Sequence, residues 1–225
     1  MVAARFLARP QRFLALVELA DGEQTLAYCA NPGSFHGCLE AGSLCLLWDS
    51  GNTARKRRYT LGAIQLGKKW LGTDTHLANE LVQQALQSAS LPSFAGCEIV
   101  KREPRYEKLG RLDFELESAG RKIFVEVKSA TVVEAGVARF PDSVSPRAVL
   151  HLKQLTKLVK KGHRAALVFL IQRGDAERMK IDLTRDPLFG RAVKAALRAG
   201  VEVVAVRHCV TPSGFGWPGE VPVET

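Results

Sequence analysis

The chain has 225 residues, 46% hydrophobic and 24% charged, which excludes extensive disorder and allows one large domain or two unequal ones with buried cores. No apolar run approaches the ~20 residues of a membrane span, and the five cysteines (Cys29, Cys38, Cys45, Cys97, Cys209) form neither CxxC pairs nor Cys/His ligand spacings, pointing to buried thiols in a reducing compartment. The 32 Lys and Arg against 23 Asp and Glu leave a net charge of +9, a surplus that favours polyanions, nucleic acid first, through long-range attraction and counterion release.

The opening MVAARFLARPQRFLALVELADG is basic, but Pro10, Arg12 and Glu18 interrupt any signal-peptide core, so a cytoplasmic protein is expected. Residues 1–66 read as short strands, RFLALVEL, QTLAYCA, SLCLLWD and RRYTLGAIQL, separated by ADGE, NPGSFHG and SGNTARK. Alternation and aromatic content at this spacing suit a small closed or nearly closed barrel of the oligonucleotide/oligosaccharide-binding (OB) type. In NPGSFHG, Pro32 and Gly33 sit where a type II turn needs them, so the segment is expected to shape a barrel loop, with ligand contact by Asn31 as the alternative. RKRRYT and KKW group Arg55, Lys56, Arg57, Arg58, Lys68 and Lys69 beside aromatics. That mixture suits phosphate contacts with base stacking, although a bare charge run is also what a solvated face looks like.

Residues 75–89, THLANELVQQALQSA, have helical spacing of apolar positions after a helix-starting Thr. The segments LDFELE, KIFVEVKSATV, SPRAVLHLKQLTKLVKKG, AALVFLI, DPLFGRAVKAALRAG and VEVVAVRH then predict strands followed by α, β, α, β, a mixed α/β domain of about 150 residues. Ser145 and Pro146 form an N-cap and first-turn pair, and Gly162 ends that helix.

LDFELE and KIFVEVK pair as an antiparallel hairpin turning at Ala119 and Gly120, with opposed residues numbered to a constant sum. Leu112, Phe114 and Leu116 then face Val127, Val125 and Ile123 on one side. The other side sets Glu117 opposite Lys122, Arg111 opposite Lys128, and Asp113 opposite Glu126. Opposed Cβ atoms lie ~4.5–5.5 Å apart, and two carboxylates at that distance repel unless a cation sits between them. Mg²⁺ takes one or two carboxylates plus waters and substrate phosphate, and Lys128, two residues from Glu126 on the same strand face, can assist a metal-bound water or neutralise phosphate charge. A solvent-facing Glu/Lys pair is the plain alternative for so short a motif. Ala-Gly is also not a favoured two-residue turn, and a longer loop or a bulge there would shift the register.

Together, NPGSFHG, HLANELVQQAL, GRLDFEL, FVEVKSATV and FPDSVSPRAVLHLKQL, in this order and spacing, resemble the sugar fermentation stimulation protein A (SfsA) family. The resemblance implies an N-terminal OB-fold-like barrel (1–70) that binds nucleic acid and a C-terminal PD-(D/E)xK restriction-endonuclease-like domain (71–225). Members are associated with DNA binding, described as DNA/RNA nucleases, and named for a regulatory role in maltose metabolism. It further implies Mg²⁺ or Mn²⁺ at Asp113 and Glu126, with the Val127 carbonyl as a further ligand and Lys128 as the catalytic lysine. The partner is then DNA or RNA and no membrane, with Arg111 near the scissile phosphate. Members often place another Glu on the first helix, where this chain has Gln84; Glu80, one turn earlier, is a substitute or a surface residue. His151 can turn toward the acids, with packing or capping as the plainer role. A sequence-neutral DNA-binding or regulatory protein with little turnover is the rival reading.

Overall fold

The computed structural model describes residues 1–224 apart from Pro32, Ser34, His36, Thr53, 107–109 and the side chain of Trp217. Pro32, and with it the centre of the expected type II turn, lies outside the described residues. The first sheet contains β1 (Val2–Gln11), β2 (Leu14–Leu19), β3 (Gln24–Tyr28), β4 (Leu44–Asp49), β5 (Tyr59–Leu66) and β6 (Lys69–Gly72). Its order is β3-β2-β1-β4-β5-β6, and Tyr28 of β3 also pairs with Thr60 of β5, closing the sheet into the expected OB barrel. Alternating residues fill the interior, among them Phe6, Val17, Ala27, Leu47, Leu61 and Ile64. Strand β1 is not among the strands read from sequence, because it contains Pro10. The ladder with β2 is irregular between Ala8 and Gln11, which is where a strand tolerates proline.

Barrel and second domain are tied backbone to backbone. Gly72 N–H donates to the Gln172 carbonyl at 2.9 Å, Leu71 bridges Arg173, and Gln172 Nε2 donates to the Asp74 carbonyl at 3.1 Å. A Cβ on Gly72 would lie 2.4 Å from Gln172 Oε1, so this junction needs glycine.

The second domain runs α1 (Leu77–Gln87), β7 (Glu98–Arg102), β8 (Phe114–Ser118), β9 (Arg121–Ala130), β10 (Val132–Glu134), β11 (Val137–Phe140), α2 (Pro146–Lys160), β12 (Arg164–Ile171), β13 (Arg178–Ile181), α3 (Pro187–Ala199), β14 (Glu202–Thr211), β15 (Gly214–Val221) and β16 (Val223–Glu224). The main sheet has the order β15-β14-β12-β9-β8-β7, parallel at β9–β12–β14 and antiparallel elsewhere. Both faces are covered, which explains the unbroken apolar run of β12. Leu81, Val82 and Ala85 of α1 pack on Phe114, Val125 and Val168; Leu152, Leu155 and Phe189 of α2 and α3 pack on Phe124, Leu167 and Phe169 on the other side. This is the restriction-endonuclease-like arrangement expected. A small sheet, β10-β11-β13-β16, carries the chain to the 141–145 segment before α2. Ser145 caps α2 by accepting from Ala148 N–H at 3.2 Å. Among the described residues, no helix is long and apolar enough to cross a membrane.

The β8–β9 ladder pairs Phe114 with Val125, Leu116 with Ile123 and Glu117 with Lys122, the register that the apolar pattern selects. The ladder stops at Phe114, however. Leu112 N–H turns to the Pro104 carbonyl and its side chain joins the α2/α3 core instead of the α1 face. Arg111 therefore does not oppose Lys128; it bridges Arg105 and pairs with Glu103 at 2.6 Å. The turn is a two-residue one with positive φ at Ala119 (48°) and Gly120 (73°). The left-handed region costs alanine roughly 1 kcal/mol and suits asparagine. Ala119→Asn is expected to stabilise the fold by about 0.5–1 kcal/mol, read as a higher urea midpoint with an unchanged slope.

Candidate functional site

Asp113 sits at the point where β8 parts from β9. Its N–H donates to the Val125 carbonyl at 3.1 Å, and its Oδ2 accepts the Val127 N–H at 2.7 Å, so the carboxylate takes over the ladder where the backbone leaves off. Oδ1 accepts from Asn79 Nδ2, in the first turn of α1, at 2.8 Å. Glu126 and Lys128 alternate with the buried Val125 and Val127, which are turned to α1, and so point toward α2. Glu126 is 3% exposed.

His151, from the first half of α2, faces this pair and not a helix end. Its Nδ1 and the Lys128 ammonium both reach Glu126 Oε1, and the two nitrogens are 3.0 Å apart. Arg147 Nε, which can only donate, approaches His151 Nε2 at 3.4 Å. Two side-chain nitrogens crowd Oε1, leaving the second carboxylate oxygen for another partner. Capping falls to Ser145, and the buried His151 turns toward Glu126, the orientation given as the alternative to packing or capping.

The two acids are pushed in opposite directions. Burial, then the neighbouring Glu126 charge, raise the Asp113 carboxyl above its usual range against the opposing hydrogen bonds from Val127 and Asn79. Burial also pushes Glu126 up, but the His151 hydrogen bond and the Lys128 charge outweigh it and hold the group below the usual range.

Asp113, Glu126, Val127 and Lys128 line one cavity of about 540 Å³ whose other walls include Arg12 and Asn31 of the barrel, Asn79 of α1, and Arg147. The barrel loop is fixed from within: Arg9 donates to the Asn31 and Gly33 carbonyls at 2.8 and 2.7 Å, and Asn31 Oδ1 accepts the Gly33 N–H at 2.7 Å. A Cβ on Gly33 would lie 2.5 Å from Asp142 Oδ2, so Gly33 and the FPDS segment meet at the cavity rim.

The residues present fit a hard divalent cation. The side-chain donors are carboxylate oxygens, burial and then the nearby Glu126 charge push the Asp113 carboxyl up, and Ser129 Oγ in the same cavity has no hydrogen-bond partner among the described residues. Among the described residues, no three His, Cys, Asp or Glu side chains are grouped to hold a metal ion, so a cation here would rely on the two acids together with backbone, water or substrate oxygens.

Of the other residues singled out in the sequence, Glu80 is exposed and pairs with Arg102 at 2.6 Å. Gln84 lines a separate cavity with His208 and Phe215. Neither reaches the acids; the polar side chain that α1 supplies is Asn79, which the search for an acid on that helix passes over. Arg55, Lys56, Arg58, Lys68 and Lys69 are exposed on the barrel and Arg57 is half-buried. Arg58 pairs with Asp49 at 2.5 Å and Lys69 with Asp175 at 3.5 Å. All five cysteines are free, with Cys97 and Cys209 only partly buried, contrary to the expectation of five buried thiols.

Residues 7–73 match the SfsA N-terminal OB domain and residues 76–214 the sugar fermentation stimulation protein RE domain. A sugar fermentation stimulation protein homolog of Geobacter sulfurreducens is 38% identical over 223 residues, covering 99% of this chain and 96% of that protein. The homolog of Thioalkalivibrio sulfidiphilus is 40% identical over 226 residues, covering 100% and 93%. The solved structure of Pyrococcus furiosus SfsA in complex with Ca²⁺ shares the fold with a TM-score of 0.90 at 32% identity, covering 100% of this chain and 96% of that one. With both domains matched and relatives similar over their full length, the chain belongs to the sugar fermentation stimulation protein A family.

Proposed function

We propose that this protein is a Mg²⁺- or Mn²⁺-dependent phosphodiesterase of the cytoplasm that cleaves nucleic acid, DNA or RNA, in the cavity between its two domains. The observation that carries this reading is the convergence of Asp113 and Glu126 on one cavity, beside the Lys128 ammonium, with barrel residues in the same wall. The Ca²⁺ complex of the Pyrococcus furiosus relative supports a hard divalent ion. When bound, such an ion polarises a phosphate oxygen and lowers the pKa of water.

The chain's own residues do the rest. Val127 N–H and Asn79 fix Asp113 so that its carboxylate need not reorganise. His151 holds Glu126 Oε1 when Lys128 swings to the scissile phosphate, so the acid keeps its orientation while the ammonium neutralises charge there. Arg12 and Arg147 add positive potential at the cavity wall. Arg55, Lys56, Arg57, Arg58, Lys68 and Lys69 form a barrel flank for strand phosphates, and Arg111 extends the positive surface.

The test is digestion of single-stranded DNA, duplex DNA and RNA with Mn²⁺, with Mg²⁺ and with chelator, by wild type and by Asp113→Asn. Metal-dependent breakage by wild type alone is expected. A second reading, a nucleic-acid-binding or regulatory protein with little turnover, is favoured by one observation, that α1 offers the site Asn79 and no acid. Retarded migration without strand breakage at any metal concentration would select it.

A further inference from the structure

The outer faces of α2 and α3 enclose a groove of about 580 Å³ that shares no lining residue with the acidic cavity. Its floor is apolar, including Val149, Ala192 and Ala195, with Leu150 and Leu188 52% and 57% exposed. Solvated helices normally turn such leucines inward, and a contiguous exposed set marks a contact surface. Along the rim run Lys153, Lys157 and Lys160, spaced to stand on one side of α2, with Arg191 opposite on α3. No Asp or Glu lines the groove among the described residues, and none of the three lysines has a salt-bridge partner there. Gln154, 6% exposed, also lines it, and its Oε1 has no donor among the described residues.

We propose that this groove docks an amphipathic α-helix of another protein, with apolar residues along one face and Asp or Glu on both flanks. The apolar floor takes the helix's apolar side, and the cationic rim pairs with its acidic flanks. Nucleic acid would pair with the lysines, but among the described residues the groove offers no aromatic ring on which its bases could stack. A second copy is disfavoured by charge, since each chain carries +9. Nor does this chain offer a suitable helix: α2 and α3 contain no acid, and the single acid of α1, Glu80, is paired with Arg102.

The experiment uses the full chain and a fluorescein-labelled Leu/Ala/Glu peptide of about five helical turns, with leucines on one face and glutamates beside them. A scrambled peptide of equal charge is the control. Anisotropy should rise saturably for wild type. Binding should weaken at least about tenfold for Leu150→Ser with Leu188→Ser, exposed positions whose change leaves the fold intact, and similarly for Lys153→Glu with Lys157→Glu. The scrambled peptide should bind correspondingly more weakly. Equal binding by wild type and the serine variant, equal binding of the scrambled peptide, or no binding at all overturns the proposal. So does a labelled single-stranded oligonucleotide that loses affinity in the serine variant, which would make the groove a nucleic-acid site, or a wild-type dimer in sedimentation that this variant abolishes.

Discussion

Asp113→Asn is expected to raise the melting temperature of the metal-free protein while abolishing divalent-ion-dependent cleavage. Asparagine keeps the shape of the side chain and an acceptor for the Val127 N–H, and Asn79 can turn its amide to meet the new NH₂. What disappears is a buried negative charge facing the Glu126 carboxylate. Because the folded carboxyl has a raised pKa, the folded state binds this proton more tightly than the unfolded chain does. The penalty is therefore present above the folded pKa and vanishes as pH falls toward the unfolded value of about 3.9. Variant and wild type should differ most near neutral pH and converge in acid. Each kcal/mol gained would appear as about 2–4 °C in a chain of this length. Calorimetry in chelator across pH, alongside the cleavage assay, reads both effects; a variant that melts lower than wild type at neutral pH contradicts the electrostatic account of Asp113.

Glu126→Ala should do the opposite to stability. It strands the Lys128 ammonium, whose side chain is 15% exposed, and removes the acceptor of the buried His151. Breaking a buried pair by deleting one partner costs about 3–5 kcal/mol, since the remaining charge has no compensation. The depressed Glu126 carboxyl contributes stability that is present above its unfolded pKa of about 4.3 and lost as pH falls through the folded value. Urea unfolding of Glu126→Ala should show that loss at pH 7 and a smaller one in acid. Glu126→Ala with Lys128→Met, which removes both charges, should recover part of it. Equal stability of Glu126→Ala and wild type at pH 7 would mean that the ion pair does not form in solution. Two acids predicted to share one role are thus separable: one is tolerated by the fold at a cost, the other is built into it.

The hairpin that presents these acids was legible because alternation is a strong signal when both faces are committed. Phe114, Leu116, Ile123 and Val125 can meet α1 in only one register. The pattern could not announce where pairing ends. Leu112 continues the apolar alternation but belongs to the opposite core, so extrapolating the ladder placed Arg111 beside Lys128 wrongly. Strand β15, GFGWPGEV, carries three glycines and Pro218, the composition of a loop, and is a strand because an edge position needs only one row of hydrogen bonds. Strand β6 has only four residues and β7 is largely exposed, so no apolar alternation marks them. The OB barrel was readable from turn spacing, but the approach of its NPG loop to the acidic cavity is a tertiary fact with no local trace. Asn79 was hidden for a related reason, and the direction of His151 was left open between the acids and packing or capping: only the packing of each helix on the sheet shows that the side chain points at a carboxylate.

The most direct measurement is anomalous diffraction from crystals soaked in Mn²⁺. The account predicts one strong peak in the cavity lined by Asp113 and Glu126, and its loss in Asp113→Asn. Binding only at other residues, or a peak that persists unchanged in the variant, would contradict it.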